Sequence, residues 1–297
     1  MSVGLIDARD RVAQPPSGRL KDYVLEEYEP AASREGRLHS LSALRFFLRA
    51  HGWLERLEEP IAALRSALGS DETVWGVKTL PGGHPGIELY FYNHCRNAPG
   101  SPKSVTRLKE ILRPFIAIDG GVDERLPYLM CSLEIDPDVI RDRRAPGFRV
   151  YVAGKRDHEG YDGVSYLATR GELRRENLYY FYSAKSDLSL VRERLRGSWR
   201  AGEASAREAL LDPNMLDCFT ICFAQKAQTD ALYFSRVRLA QALPRLEHDM
   251  PGAMTDMLRA HAHDFAHLRW DVGYDFAAPA GDLTRAEIQK VGLYGYF

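Results

Sequence analysis

No run of about 18 apolar residues occurs in this chain, so no membrane-spanning helix is expected. Residues 1–17 carry acids, Gln14 and paired prolines rather than the apolar centre of a signal peptide. A charge excess is missing too: the net charge is −1 over 297 residues, which predicts neither a nucleic-acid partner nor a membrane partner. Cysteine is scarce, with Cys95, Cys131, Cys218 and Cys222 forming no C-x-x-C pair. That usage predicts a reduced, cytoplasmic protein with its thiols buried in strands. There is no Gly-rich phosphate loop, G-x-S-x-G elbow or H-E-x-x-H, so the common hydrolase, kinase and Rossmann classes lose their support.

What is present is a long series of strand patterns. Hydrophobic residues make up 45% of the chain, enough for one large domain or two small ones. A single domain over residues 1–297 is expected if the strands close into a barrel, with residues 1–20 a loosely ordered segment. Period-two alternation with aromatic or β-branched residues marks strands at 73–80, 87–94, 128–135, 148–154, 164–169, 178–184, 218–226, 231–237, 269–276 and 288–297, with an earlier candidate at 22–29. Helical stretches lie between them. Ser101-Pro102 offers a cap and a first-turn proline to one, striped by Val105, Leu108, Ile111, Leu112 and Phe115. Ser186-Asp187 opens another, residues 250–268 supply a third, and 40–68 hold one or two more. The expected class is α+β, either an open sheet covered by helices or a closed antiparallel barrel ringed by them.

The faces of the strands favour the barrel. Lys290, Tyr294 and Tyr296 share one face of the last strand and Val291, Leu293 and Phe297 the other. Glu88, Tyr90 and Tyr92 oppose Ile87, Leu89 and Phe91, while Arg149, Tyr151 and Lys155 oppose Phe148, Val150 and Val152. In an ordinary small barrel the lumen is the apolar side. Here helices are available to cover the aliphatic face, which leaves the polar, aromatic face to line a lumen wide enough for a ligand.

Lysine is depleted in strands in general, and only eight lysines stand against 32 arginines here. Even so, Lys78, Lys155, Lys226 and Lys290 fall in or at the ends of strands, as do Arg149 and Arg236. Each, taken singly, is an ordinary solvent-facing strand residue or a lumen cation. Together they make a candidate pyrophosphate site, because rigidly held cations stabilise the charge that grows as a C–O bond breaks. Tyr90, Tyr92, Tyr151, Tyr182, Tyr233, Tyr294 and Tyr296 accompany them as candidates for shielding an allyl cation. No metal site is predicted. His261 and His263 face different ways on a helix, and the D-D-x-x-D of all-helical prenyl synthases is missing.

Three blocks carry a resemblance. Residues 287–297 (EIQKVGLYGYF) resemble the last strand of the cyanobactin peptide prenyltransferases. Phe223-Ala224-Gln225-Lys226 followed by Leu232-Tyr233-Phe234 is similar to that family's penultimate hairpin, and Trp75-Gly76-Val77-Lys78 through Leu89-Tyr90-Phe91 is similar to an earlier one. The resemblance implies the ABBA or PT barrel of about ten antiparallel strands. It also implies transfer of a dimethylallyl or geranyl group from its pyrophosphate to a side chain of a cyclic peptide, with Mg2+ assisting through the pyrophosphate. An N-terminal glutamate would contact the acceptor, with Glu29 the first choice and Glu26 the second. The competing expectations are a small-molecule indole or phenol prenyltransferase within the same fold, and a non-catalytic barrel carrier of an anionic lipid.

Overall fold

The computed structural model describes residues 5–80, 83–93, 101–250 and 252–297. Ten strands close into a single antiparallel barrel. In chain order the strands are β1 (Leu20–Lys21), β2 (Glu27–Tyr28), β3 (Val74–Thr79), β4 (Pro85–Tyr92), β5 (Ala117–Ile118), β6 (Tyr128–Ile135), β7 (Arg144–Ala145), β8 (Phe148–Ala153), β9 (Gly163–Thr169), β10 (Glu172–Ser183), β11 (Thr220–Gln225), β12 (Asp230–Arg238), β13 (Arg269–Ala277) and β14 (Glu287–Tyr296). The barrel runs β3-β4-β6-β8-β9-β10-β11-β12-β13-β14 and back to β3. β1 pairs with β2 as a separate hairpin, and β5 with β7 as a short parallel pair. The ten strands expected from alternation are the ten staves. Residues 94–100, which hold Cys95 and the end of the second expected strand, lie outside the described residues.

Helices α1 (Leu41–Ala50), α2 (Leu54–Leu68), α3 (Val105–Leu112), α4 (Pro137–Asp142), α5 (Arg156–Glu159), α6 (Leu188–Gly197), α7 (Ala204–Leu210), α8 (Leu239–Asp249) and α9 (Ala253–Ala260) lie between the strands. The core is therefore a shell between barrel and helices. Val77, Ile87, Leu89, Phe91, Leu133, Val150, Val272 and Leu293 point outward from the strands and pack in one cluster with Leu44, Leu64, Leu108 and Leu258 of the helices. Each such side chain, fully buried, contributes about 1.5–3 kcal/mol. This shell frees the inner face from having to be apolar.

Four expectations are corrected. The 101–102 cap belongs to a turn: Ser104 caps α3, accepting from the Arg107 amide at 3.2 Å, while the Ser101 hydroxyl donates to Asn93 at 2.8 Å. The helix expected over 250–268 stops at Ala260. Residues 22–26 form the turn of the β1–β2 hairpin rather than a strand. Residues 5–20 are docked rather than loose. The Ile6 amide donates to His261 Nε2 at 3.1 Å, Arg49 pairs with buried Asp10 at 2.5 Å, and Leu20 is fully buried. Among the described residues no helix is long and apolar enough to cross a membrane.

Candidate active site

The barrel encloses a cavity of about 920 Å³ lined from nearly every stave. Its side chains follow strand parity, and glycines on the same inner face give them room. A Cβ on Gly273 would lie 2.1 Å from the Tyr233 ring, and one on Gly76 would lie 2.5 Å from the Tyr294 ring. Gly273 sits opposite Tyr233 and Gly76 opposite Tyr294 in the register. Both rings therefore lie flat across a neighbouring strand, and the lumen stays open where upright tyrosines would fill it. Tyr233 and Tyr294 are 6.2 Å apart, Tyr294 and Tyr90 6.0 Å, and Tyr151 and Tyr179 5.7 Å, centroid to centroid.

One end of this aromatic lining is charged, and its two sides differ. On one side the Lys226 ammonium donates to both Asp275 oxygens at 2.8 and 2.7 Å and to the Tyr233 hydroxyl at 3.0 Å. Lys290 meets the same carboxylate at 2.9 Å. Burial, and then Lys226 beside it, pushes the Lys290 ammonium down to about 8. Burial alone would raise Asp275, but the two lysines outweigh it and hold the carboxyl below its ordinary value. Two lysines share one aspartate, so this side carries an excess positive charge.

On the other side Glu88 is the hub. It accepts from Lys78, from Ser132, from Arg149 at 2.8 Å, from Tyr90 at 2.7 Å and from Tyr151 at 3.4 Å. Glu134 reaches Lys78 and Arg149, each at 3.5 Å, and Glu176 takes the Arg149 Nε at 2.7 Å. Burial raises the Glu88 carboxyl, but Lys78 and Arg149 overcome it and hold the pKa well below the ordinary range. Lys78 is the mirror case: burial lowers it, and Glu134 and Glu88 more than reverse that, so it stays charged. Three carboxylates face one lysine and one arginine. Arg174 also reaches Glu176 at 3.4 Å, but from a mostly exposed position where water screens it. Leaving aside the exposed Arg174 and Arg175, which also line the cavity, this side carries the excess negative charge.

Of the expected residues, Lys78, Arg149, Lys226, Lys290, Tyr90, Tyr92, Tyr151, Tyr233 and Tyr294 line the one cavity. Five others do not. Glu29 is exposed beyond β2 and lies off the cavity wall, whereas the second choice, Glu26, is on it. Lys155 is exposed, because β8 ends at Ala153 and the chain has already turned into α5. Arg236 binds Asp22 at 2.8 Å and Glu26 at 3.2 Å, holding the β1–β2 hairpin instead of facing an anion. Tyr182 points outward, with Arg156 4.7 Å above its ring. Tyr296 is buried behind the cavity wall, in one cluster with Tyr90, Tyr92 and Tyr294, its ring 5.1 Å from His39.

Several lumen residues were not anticipated, among them Tyr23, Glu134, Glu176 and two pairs on β10 and β13. Tyr179 and Phe181 are the inward pair of β10, but the run Leu178-Tyr179-Tyr180-Phe181-Tyr182 is aromatic on both parities and hides which face is which. Asp271 and Asp275 flank Gly273 at period two, with Trp270, Val272, Tyr274 and Phe276 on the opposite parity, so here the signal was available. Burial, then the neighbouring Asp22 carboxylate, pushes Asp271 well above the ordinary carboxyl range.

Magnesium finds no cage in these side chains. Among the described residues no group of three His, Cys, Asp or Glu is disposed to hold a metal ion, and Glu88, Glu134, Glu176 and Asp275 each face a lysine or arginine. The described residues do not fit a protein-held metal.

No protein-family model and no curated protein matches the sequence. Solved structures share the architecture. The chain is similar to 5-dimethylallyl tryptophan synthase from Streptomyces coelicolor in complex with DMASPP and Trp, at 15% identity over 85% of this chain and 92% of that one, with a TM-score of 0.52. A second structure of 5-dimethylallyltryptophan synthase from the same organism is also 15% identical, over 86% of this chain and 96% of that one, with a TM-score of 0.50. The ten-stranded barrel with its surrounding helices is the PT-barrel, or ABBA, fold.

Proposed function

We propose that the protein is a prenyltransferase that moves a dimethylallyl group from its pyrophosphate to a small aromatic acceptor, an indole or a phenol. The observation that carries the reading is the opposed charge balance of two groups in one tyrosine-lined lumen. The pyrophosphate takes the Lys226–Lys290 side, where one carboxylate leaves positive charge to spare. As the C–O bond breaks, its electron pair leaves on the pyrophosphate, and the lysines and the Tyr233 hydroxyl stabilise the growing charge. The allyl cation is held between the flat tyrosine rings, whose faces favour cations. The acceptor ring attacks the allyl carbon, and its departing proton passes to Glu88, the buried carboxylate kept ionised by Lys78 and Arg149.

This reading replaces Glu29 with Glu88 as the acceptor-side acid. Support for a peptide acceptor is weaker, because Asp22, Tyr23, Val24 and Glu26 of the β1–β2 hairpin form part of the cavity wall and narrow the room for a folded-back chain. The similarity in fold to synthases whose names specify dimethylallyl tryptophan also favours a small aromatic acceptor. The test incubates the protein with dimethylallyl pyrophosphate and tryptophan, simple indoles, phenols and cyclic peptides, and follows products by mass spectrometry. Addition of one isoprenyl unit to an indole or phenol is expected. Product on peptides only would move the reading to the peptide class, and donor binding without product would make the protein a carrier.

A further inference from the structure

What limits the donor to one isoprene unit is a question on which the β1–β2 hairpin bears. Tyr23, at the turn of this hairpin, is inserted into the lumen. Its ring lies edge-on to Tyr90 at 5.0 Å, Tyr294 at 5.2 Å and Tyr92 at 6.0 Å. It comes from neither a stave nor a helix, so its placement depends on the turn. Asp22 shapes that turn, its Oδ1 accepting from the amides of Val24 at 3.0 Å and Glu26 at 2.9 Å, with Leu25 at a φ of 61°. Arg236 then latches it. Its guanidinium holds Asp22 Oδ2 and Glu26, and its amide donates to Asp271 at 3.0 Å. Arg236 itself sits at a φ of 58°, where β12 loses register between Phe234 and Val237.

A prenyl tail whose pyrophosphate lies at Lys226 and Lys290 runs along Tyr233, then Tyr294, and meets Tyr23 next in this continuous aromatic wall. We infer that Tyr23 is the end wall of the prenyl pocket and sets the donor to a single isoprene unit, held in place by the Asp22–Arg236 latch. The inference rests on the prenyl-donor reading above. An apolar tail one isoprene longer on this path meets the Tyr23 ring, and steric exclusion of extra carbons is worth about tenfold or more in discrimination.

The test measures binding of the non-ionising thiolo-diphosphate analogues of dimethylallyl and geranyl pyrophosphate by calorimetry, which needs no acceptor. Wild type is expected to favour the dimethylallyl analogue by about tenfold or more. Tyr23→Ala is expected to bring the ratio to one or below, and Tyr23→Phe to keep it. Because Tyr23→Ala removes packing from three rings, Tyr23→Leu is measured beside it, with the melting temperature of each, and is expected to shift the ratio in the same direction. A folded Tyr23→Ala or Tyr23→Leu with the wild-type ratio would overturn the inference, as would a wild type that takes both analogues equally. Wild type binding neither analogue would overturn the prenyl-donor reading and this inference with it.

Discussion

The two sides of the charged end use the same kinds of residue and reach opposite balances. On one, Lys226 and Lys290 share Asp275; on the other, Glu88, Glu134 and Glu176 divide Lys78 and Arg149. A cation that already has its own carboxylate has little left for an incoming anion, while one that shares a carboxylate does. Counting basic residues along the strands therefore overstates the anion site. The lesson is that partners, not cations, decide which side receives the pyrophosphate and which the acceptor.

The largest effect is expected at the hub of the negative side. Glu88→Gln keeps the shape and removes the charge that takes the acceptor's proton, and turnover should fall by about 10²–10⁴. Steady-state kinetics with saturating donor measures it, and near-wild-type turnover would remove Glu88 from the chemistry. Next comes the wall beside Lys226. Gly273→Ala forces the Tyr233 ring off the strand, and overpacking of this kind should cost about 1–3 kcal/mol in a denaturant titration. Unchanged stability would mean that the flat ring does not depend on the glycine.

A smaller effect separates the lysines by pH. Lys290 carries its proton below about 8 and loses it above, whereas Lys78 stays charged throughout. Donor affinity should be flat below that pH and fall by up to about tenfold per pH unit above it, because the bound anion needs the protonated form. Lys290→Arg should abolish the inflection, and an unaltered pH profile in that variant would place the titrating group elsewhere. The smallest effect is expected at Glu29, whose exposed side chain faces solvent. Glu29→Gln should change stability by no more than about 0.5 kcal/mol and leave turnover as it is. A large loss there would restore the N-terminal glutamate to the acceptor site.

The barrel was legible in the sequence because alternation is a local property: Ile87 to Tyr92 and Phe148 to Val152 announce their faces whatever they pair with. So were most of the lumen tyrosines. The site was legible only where parity was clean. β10 hid Tyr179 behind a run aromatic on both faces, and Lys155 followed the alternation of β8 on paper while the chain had already left the strand. Tyr23 was beyond reach for a different reason. Its place depends on an ion pair between Asp22 and Arg236, 214 residues apart, and no local pattern encodes a contact of that separation.

The central claim is the division of the lumen, and calorimetric binding of the dimethylallyl thiolo-diphosphate analogue to wild type, Lys226→Ala and Glu88→Gln tests it most directly. Loss of a hydrogen bond from a charged group costs about 1.5–3 kcal/mol, so Lys226→Ala should bind the analogue about ten- to a hundredfold more weakly. Glu88→Gln, which removes negative charge from the Lys78–Arg149 group, should bind it as tightly as wild type or more tightly. Equal weakening in both variants, or a loss confined to Glu88→Gln, would contradict the account.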